Sequence, residues 1–427
     1  MSVIILFSLF FGLLVMGAPI AIALGASTFI ALVGFTPISA IEISSMVFEK
    51  VEHYSLMAIP MFILAGNLLS KGSSASRIIE FAKSCVGHFP GGLPISAIFA
   101  SIIFAAVSGS SPATVVAIGS IMFGAIVKDG YPRKYAVGTI ATAGSLGILI
   151  PPSIVLIVFG VTAEVSIGKL FMAGVVPGIL LGVMLMGVTY IGAVRLGFKR
   201  SEPKPFKERL VKMREASWGL MTIVIVIGGI YGGLFTPTEA AAVAAVWAFF
   251  ISVFVYKDIK LKEFLSIALA SGKTTSMIMF IIANAMLFAH FLTLENIPQI
   301  ITQTLIDNNV GVIAFLIFVN ILLIIAGAFM EPSAIIMIMV PLLLPVAMAL
   351  GINPIHFGIM ITVNMELGMV SPPVGLNLFV TSSLTGMSMK DVMVATFPWT
   401  ATIFVGLMLV TYIPQISLWL PNLIYGQ

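Results

Sequence analysis

Charge is scarce in this sequence. Of its 427 residues only 9% are Asp, Glu, Lys or Arg, where soluble domains carry roughly 25%. With 59% of its residues hydrophobic, the chain cannot present a wetted surface on all sides, which excludes an ordinary soluble fold. A single cysteine, Cys85, excludes an internal disulfide. The four histidines, His53, His88, His290 and His356, stand apart without metal-ligand spacing. There is no full Gly-x-x-x-x-Gly-Lys-Ser/Thr phosphate loop, since Gly272-Lys273-Thr274 has Ile267 where the first glycine would stand, so ATP hydrolysis by this chain has no residues to rest on. No Ser/His/Asp or His/Glu constellation falls at matched depth, which sets aside a membrane enzyme. The amino terminus lacks a basic region and a small-residue cleavage site, and reads as a first membrane helix.

What the chain does have is long apolar runs. They suit a hydrocarbon core of roughly 30 Å, which takes about 20 helical residues. They do not alternate as barrel strands do, and helices satisfy their own backbone in lipid. The expected fold class is therefore an all-α polytopic membrane protein.

The runs repeat. Met61-Phe62-Ile63 recurs as Met279-Phe280-Ile281, Pro19 as Pro237, Pro112 as Pro332, and Pro151-Pro152 as Pro372-Pro373, at offsets of 218 to 221. The chain divides into a first repeat over 1–198, a charged linker over 199–217 and a second repeat over 218–427. Residues 199–215 hold seven Lys/Arg and three Glu, as a solvated connector or a lipid-headgroup contact would. Thr236-Pro-Thr-Glu239 reads as a helix start. In each repeat the pattern predicts two apolar helices, an amphipathic stretch, a third helix and a second amphipathic piece. Two arms around a Gly/Pro tip follow (about 92–127 and 311–350). A helix broken at the double proline comes next (about 134–163 and 356–386), then a last helix. If the two-armed elements are re-entrant hairpins, each repeat crosses five times, and the second is inverted. With both termini outside, 19 of the 21 Lys/Arg fall inside, leaving only Lys50 and Lys169 outside. That sorting is the positive-inside pattern.

The tips carry the chemistry. The first reads SGSSPAT over 108–114 and the second GAFMEPS over 327–333. Irregular backbone at membrane depth needs surrounding protein or a wet cavity. Glycine permits the turn and proline starts the returning helix. Ser108, Ser110, Ser111 and Thr114 add hydroxyl oxygens, and the double prolines free carbonyls one turn back. An oxygen-only environment suits a small alkali cation. Helix N-terminal ends aimed at the same space suit a carboxylate. Inverted repeats with paired broken helices are the mark of secondary transporters. Taken singly, each cluster is also what an ordinary helix kink contains; four clusters in two matched pairs are not. Glu331 and Glu366, the acids deepest in the second repeat, could ligate a cation, carry a proton or hold helix ends. Asn67, Asn364 and Asn377 could be ligands or interhelical links.

At these motifs, SGSSPAT, GILIPPS, GAFMEPS and GMVSPPVGLN, the chain resembles over essentially its whole length the large membrane subunit of TRAP transporters. The resemblance implies a scaffold and a mobile transport domain working as an elevator in the bacterial inner membrane. It implies uptake driven by Na⁺ at two or more sites. It also implies a small four-helix membrane subunit and a periplasmic binding protein that delivers a carboxylate. Among such subunits the chain looks most like those serving sialic acid, with a C4-dicarboxylate next. The first cation site would use Ser108, Ser110 and Ser111 with Gly147, Ile150 and Pro151. The second would use Gly327 and Glu331 with Gly368, Val370, Ser371 and Pro372. Substrate would meet Ser110, Ser111, Ser153, Ser333 and Asn377. A stand-alone symporter or antiporter of the same fold would need no partners. A gated channel would need a continuous pore that the bulky apolar tips oppose.

Overall fold

The structure, a computed structural model, describes residues 2–426, with twenty α-helices and no strand among them. The first repeat runs α1 (Ser2–Val15), α2 (Ile20–Phe35), α3 (Ala40–Val51), α4 (Ala58–Lys71) and α5 (Ser74–Val86). The hairpin arms α6 (Gly92–Ser108) and α7 (Ser111–Lys128) come next. The broken helix follows as α8 (Arg133–Ala143), a 3₁₀ turn at Gly144–Ile148 and α9 (Ile154–Thr162), and α10 (Ile167–Arg195) closes the repeat. The second repeat runs α11 (Phe206–Tyr231), α12 (Pro237–Phe250), α13 (Leu261–Leu294) and α14 (Ile297–Asp307). Hairpin arms α15 (Val312–Gly327) and α16 (Pro332–Ala349), broken-helix halves α17 (Pro354–Met369) and α18 (Leu376–Thr385), α19 (Met389–Tyr412) and a terminal α20 (Gln415–Tyr425) complete it.

Local chemistry places the ends. Ser39 and Glu42 form a reciprocal cap on α3, and Thr236 and Glu239 do the same on α12. Proline opens α7, α12, α16 and α17 within the first two positions, where no intrahelical partner is lost. Among the described residues, seven helical stretches reach 18 residues with enough hydropathy to cross a membrane, α7 and α16 among them. Each of these two returns against its partner arm across a short tip, so neither hairpin changes the side from which the next helix starts.

Three elements depart from the sequence expectation. The linker at 199–217 is not a loop throughout, because α11 begins at Phe206, where Pro205 supplies the helix start. The amphipathic stretch and third helix of the second repeat are one 34-residue helix, α13. In the first repeat the His53 ring accepts the Ser55 N–H at 3.3 Å and starts a separate turn, whereas the matching stretch of α13 has no breaker beyond Gly272. Finally, α20 follows Pro414 and has no counterpart in the first repeat.

The two repeats exchange partners. Helix α4 packs on α12 and α13 packs on α2; α7 packs on α18 and α16 packs on α9. Asn67 Nδ2 donates to Ser271 Oγ at 2.8 Å, a link between repeats worth about 0.6 kcal/mol in a membrane. The Ser73 amide donates to the Asp258 carboxylate, and Arg77 lies 4.2 Å above the Tyr256 ring. Outward, Val246 on α12 and Phe397 on α19 are 69% and 72% exposed, as suits lipid or a partner helix.

Close approach between α17 and α9 depends on Gly358, where an added Cβ would sit 2.5–2.9 Å from the Phe159 ring. Gly358→Val should therefore destabilise the protein by about 1–3 kcal/mol, read as a lower melting temperature in detergent. Unchanged melting would mean that Phe159 moves aside freely.

Candidate functional site

Each hairpin tip lies against the break of its own repeat. After each double proline a free amide donates to a tip carbonyl. The Ile154 amide meets the Gly109 carbonyl at 3.4 Å, and the Gly375 amide meets the Ala328 carbonyl at 3.1 Å. The backbones touch. A Cβ on Gly147 would lie 2.6 Å from the Ser110 carbonyl oxygen and 2.9 Å from Ser111 Cα. One on Gly368 would lie 2.6 Å from Gly327 Cα. Gly109 holds the left-handed conformation (φ +59°) that this first turn requires. The Pro151-Pro152 and Pro372-Pro373 peptide bonds are both cis.

The first cluster thus brings together Ser108, Ser110, Ser111 and Gly147, with Ile150 and Pro151 buried beside them. Within it, Ser108 Oγ pairs with Thr114 Oγ1 at 2.8 Å, and Thr114 donates to the Ser110 carbonyl at 2.9 Å. Ser110 is only partly buried and its hydroxyl makes no hydrogen bond among the described residues, which leaves it the freest of the three serines. The second cluster brings Gly327 against Gly368, with Val370 and Ser371 buried and Pro372 exposed.

The two breaks differ where the repeat would make them equal. Proline removes an amide partner one turn back. At Pro152 this leaves the Ile148 carbonyl, and the Ser153 hydroxyl donates to it while accepting the Leu156 amide. The equivalent carbonyl at the second break belongs to Met369, and Val374 stands where the hydroxyl would be. The first break is buried throughout 150–154; at the second, Pro372, Pro373 and Val374 are exposed. There the carbonyl oxygens of Ser371 and Met369 converge, 2.7 and 3.0 Å from where a Cβ of Gly375 would stand. Leu378 Cδ1 stands 2.9 Å from the same point and Gly375 is itself buried, so two carbonyl oxygens and one methyl group wall this glycine.

One side chain joins the repeats at this level. Asn377 Nδ2, in the first turn of α18, donates to Ser111 Oγ at 2.7 Å and to the Ala141 carbonyl at 3.4 Å. Ser111 opens α7, so the positive ends of two half-helices from opposite repeats stand side by side. The Asn377 Oδ1 and Thr381 Oγ1 atoms are buried there without a hydrogen-bond partner among the described residues.

Comparison with known proteins fits this architecture. The family model for the tripartite ATP-independent periplasmic transporter, DctM component, matches residues 7–416. The chain belongs to that family. The C4-dicarboxylate TRAP transporter large permease protein DctM of Vibrio cholerae is 49% identical over 450 residues, covering all of this chain and 99% of that one. Its Pseudomonas aeruginosa counterpart is 52% identical over 400 residues, covering 94% of each. The sialic acid TRAP transporter large permease protein SiaM of Vibrio cholerae is 34% identical over 420 residues, covering 97% of this chain and 98% of that one. Among solved structures, the Alcanivorax borkumensis YdaH transporter superposes with a TM-score of 0.66 at 14% identity, over 90% of this chain and 91% of that one. The likeness to it is one of fold.

For a TRAP large permease, then, each tip sits on a break, and several candidate side chains are engaged within their own helices. Glu331 turns its carboxylate to its own helix: Oε1 accepts from Ser333 Oγ at 2.9 Å and Oε2 from the Ala334 amide at 3.2 Å. It is an N-cap, and the Ser333 hydroxyl is held by it, because the unpaired amides of α16 are its nearest donors. Ser153 is likewise engaged in capping α9. Of the expected substrate contacts, Ser110, Ser111 and Asn377 keep a place between the repeats. The convergence of the Met369 carbonyl on Gly375 has one sign in the sequence, Val374 at the position that Ser153 holds in the first repeat. Glu366 is fully buried, and neither of its oxygens has a partner among the described residues.

Gly147→Val would drive a side chain into tip backbone that cannot yield. It should abolish uptake while the protein still inserts, measured by transport and surface labelling in parallel; near-normal uptake would remove Gly147 from the site. For the bond between repeats, Ser111→Ala and Asn377→Leu should couple in a double-mutant cycle by about 0.6–1.7 kcal/mol in thermal stability. Additive effects would mean that the bond contributes nothing.

Proposed function

We propose that this chain is the Na⁺-coupled membrane permease for a small carboxylate, a C4-dicarboxylate before sialic acid. It would receive its substrate from a periplasmic binding protein and work beside a small four-helix membrane subunit in the bacterial inner membrane. The observation that carries the reading is the junction at Ser111 and Asn377. There two half-helix N-termini from opposite repeats meet beside the break at which the Ser371 and Met369 carbonyls converge. An anionic carboxylate is stabilised by such helix ends without any basic side chain. The order of substrates follows the relatives, since those named for C4-dicarboxylates share 49–52% identity and those named for sialic acid 34%.

The donors present fit a small hard cation. The Ser371 and Met369 carbonyls converge at Gly375, beside Leu378, and the tip backbone at Gly327 closes against Gly368. Such oxygens replace a hydration shell without a charged ligand. Bound there, Na⁺ would supply the electrochemical drive. The chain's own residues hold the tip against the break, present the Ser110 hydroxyl, and keep Asn377 aimed at Ser111. In this reading α6–α10 and α15–α19 form the moving transport domain, and α1–α5 with α11–α14 the scaffold. Both termini face the periplasm.

Labelled succinate and labelled sialic acid should be offered to proteoliposomes holding the complete assembly, with and without an inward Na⁺ gradient and the binding protein. Succinate uptake that needs both is the expected result. Uptake with Na⁺ alone would favour a stand-alone symporter, and a preference for sialic acid would reverse the substrate order. Cysteines placed at Lys128 and Arg133 should resist an impermeant reagent added outside; labelling there would overturn the topology.

A further inference from the structure

Helices α10 and α19, the last spanning helices of the two repeats, pack together, and a groove of about 460 Å³ opens between them and the start of α8. Its floor is apolar: Ile191 from α10, Pro398 and Trp399 from α19, and Tyr135 from α8. The polar ends of the two rings are already engaged. Trp399 Nε1 donates to Thr189 Oγ1 at 2.7 Å, and the Tyr135 hydroxyl donates to the Thr189 carbonyl. The rings meet edge to face with centroids 5.2 Å apart, so only ring carbon is left to face the groove. Ile191 is 51% exposed, which places the groove on an outer flank of the molecule.

Two cations line this groove, Lys134 and Arg195, and no carboxylate does. Lys134 shares its charge with Asp391 at 3.2 Å, and both of these side chains remain largely exposed. Arg195 has no ion pair or hydrogen bond among the described residues. Arg195 ends the spanning helix α10 and Lys134 lies in the first turn of α8, the kind of position at which basic side chains meet a bilayer's headgroups. Basic pockets between spanning helices recognise anionic headgroups, and apolar furrows beside them take the acyl chain.

We propose that this groove binds one anionic phospholipid, its phosphate between Lys134 and Arg195 and its chain laid along Ile191, Pro398 and the Trp399 ring. A zwitterionic lipid would fill the same furrow without net charge for the second cation. A free phosphate would meet the cations but leave the furrow uncovered. A helix of another subunit would need an acidic residue at this one depth. The lipid would bridge the two repeats at α10 and α19, so the permease would sense bilayer composition at its transport-domain edge. This site is independent of the substrate and of the coupling ion.

Trp399 is the built-in reporter. With Trp218, Trp247 and Trp419 changed to Phe, its fluorescence can be followed in the complete assembly, in bilayers doped with brominated phosphatidylglycerol or brominated phosphatidylcholine. The anionic lipid should quench half-maximally at a mole fraction about fivefold lower, the gain expected of one unpaired cation near a charged headgroup. The difference should vanish in K134Q/R195Q. Native mass spectrometry of the unsubstituted assembly should retain phosphatidylglycerol over phosphatidylcholine, which keeps the test valid should the tryptophan variants fail to fold. Equal quenching and equal retention would overturn the proposal, as would a preference that survives K134Q/R195Q. Displacement of phosphatidylglycerol by soluble glycerol phosphate would assign the cations to a free phosphate instead. Absence of quenching by either lipid would assign the groove to a partner helix.

Discussion

Backbone polarity at membrane depth is the constraint on which this architecture turns. A chain that stops being helical inside a bilayer exposes amides and carbonyls that water cannot reach, at several kcal/mol each. This protein stops four times, at two tips and two breaks, and brings each tip to a break. The amide freed after each double proline meets the carbonyl freed at the tip, at Ile154 with Gly109 and at Gly375 with Ala328. Neither defect is tolerable alone. Glycines at 147, 327 and 368 are the condition for that contact, since a side chain at any of them would meet backbone.

Duplication explains the pairing, and divergence between the copies makes it useful. The first break is buried and its Ile148 carbonyl is closed by Ser153; the second is exposed, with Val374 in that position and two carbonyls converging at Gly375. A perfectly symmetric protein would have two equal sites or none. The exchanged packing, α7 on α18 and α16 on α9, means that neither repeat completes its own core. The Asn377–Ser111 bond therefore joins two helix starts that no single repeat could bring together.

Much of the fold was legible because lipid removes options. Low charge, run length and the offset of 218 to 221 gave the helices, the duplication and the hairpin tips. The departures fall where local signals were ambiguous. A proline before Phe206 reads equally as loop or helix start, and Gly272 alone does not separate two helices. The candidate site was legible as stretches rather than as side chains. Glu331 looks like a buried acid in search of a cation, yet its carboxylate accepts from the Ser333 hydroxyl and the Ala334 amide of its own helix.

The sequence by itself determined that this is a duplicated helical membrane protein with broken helices and glycine-proline tips, because hydropathy, repeat offset and proline chemistry are local properties of the chain. Its motifs also carried the TRAP resemblance that the family match bears out. Only the tertiary structure decided which hydroxyls are occupied as caps, which break is open, and that Asn377 reaches Ser111 across 266 residues. Those outcomes depend on which unpaired amide or carbonyl lies nearest once the repeats interlock, a distance that no spacing along the chain contains.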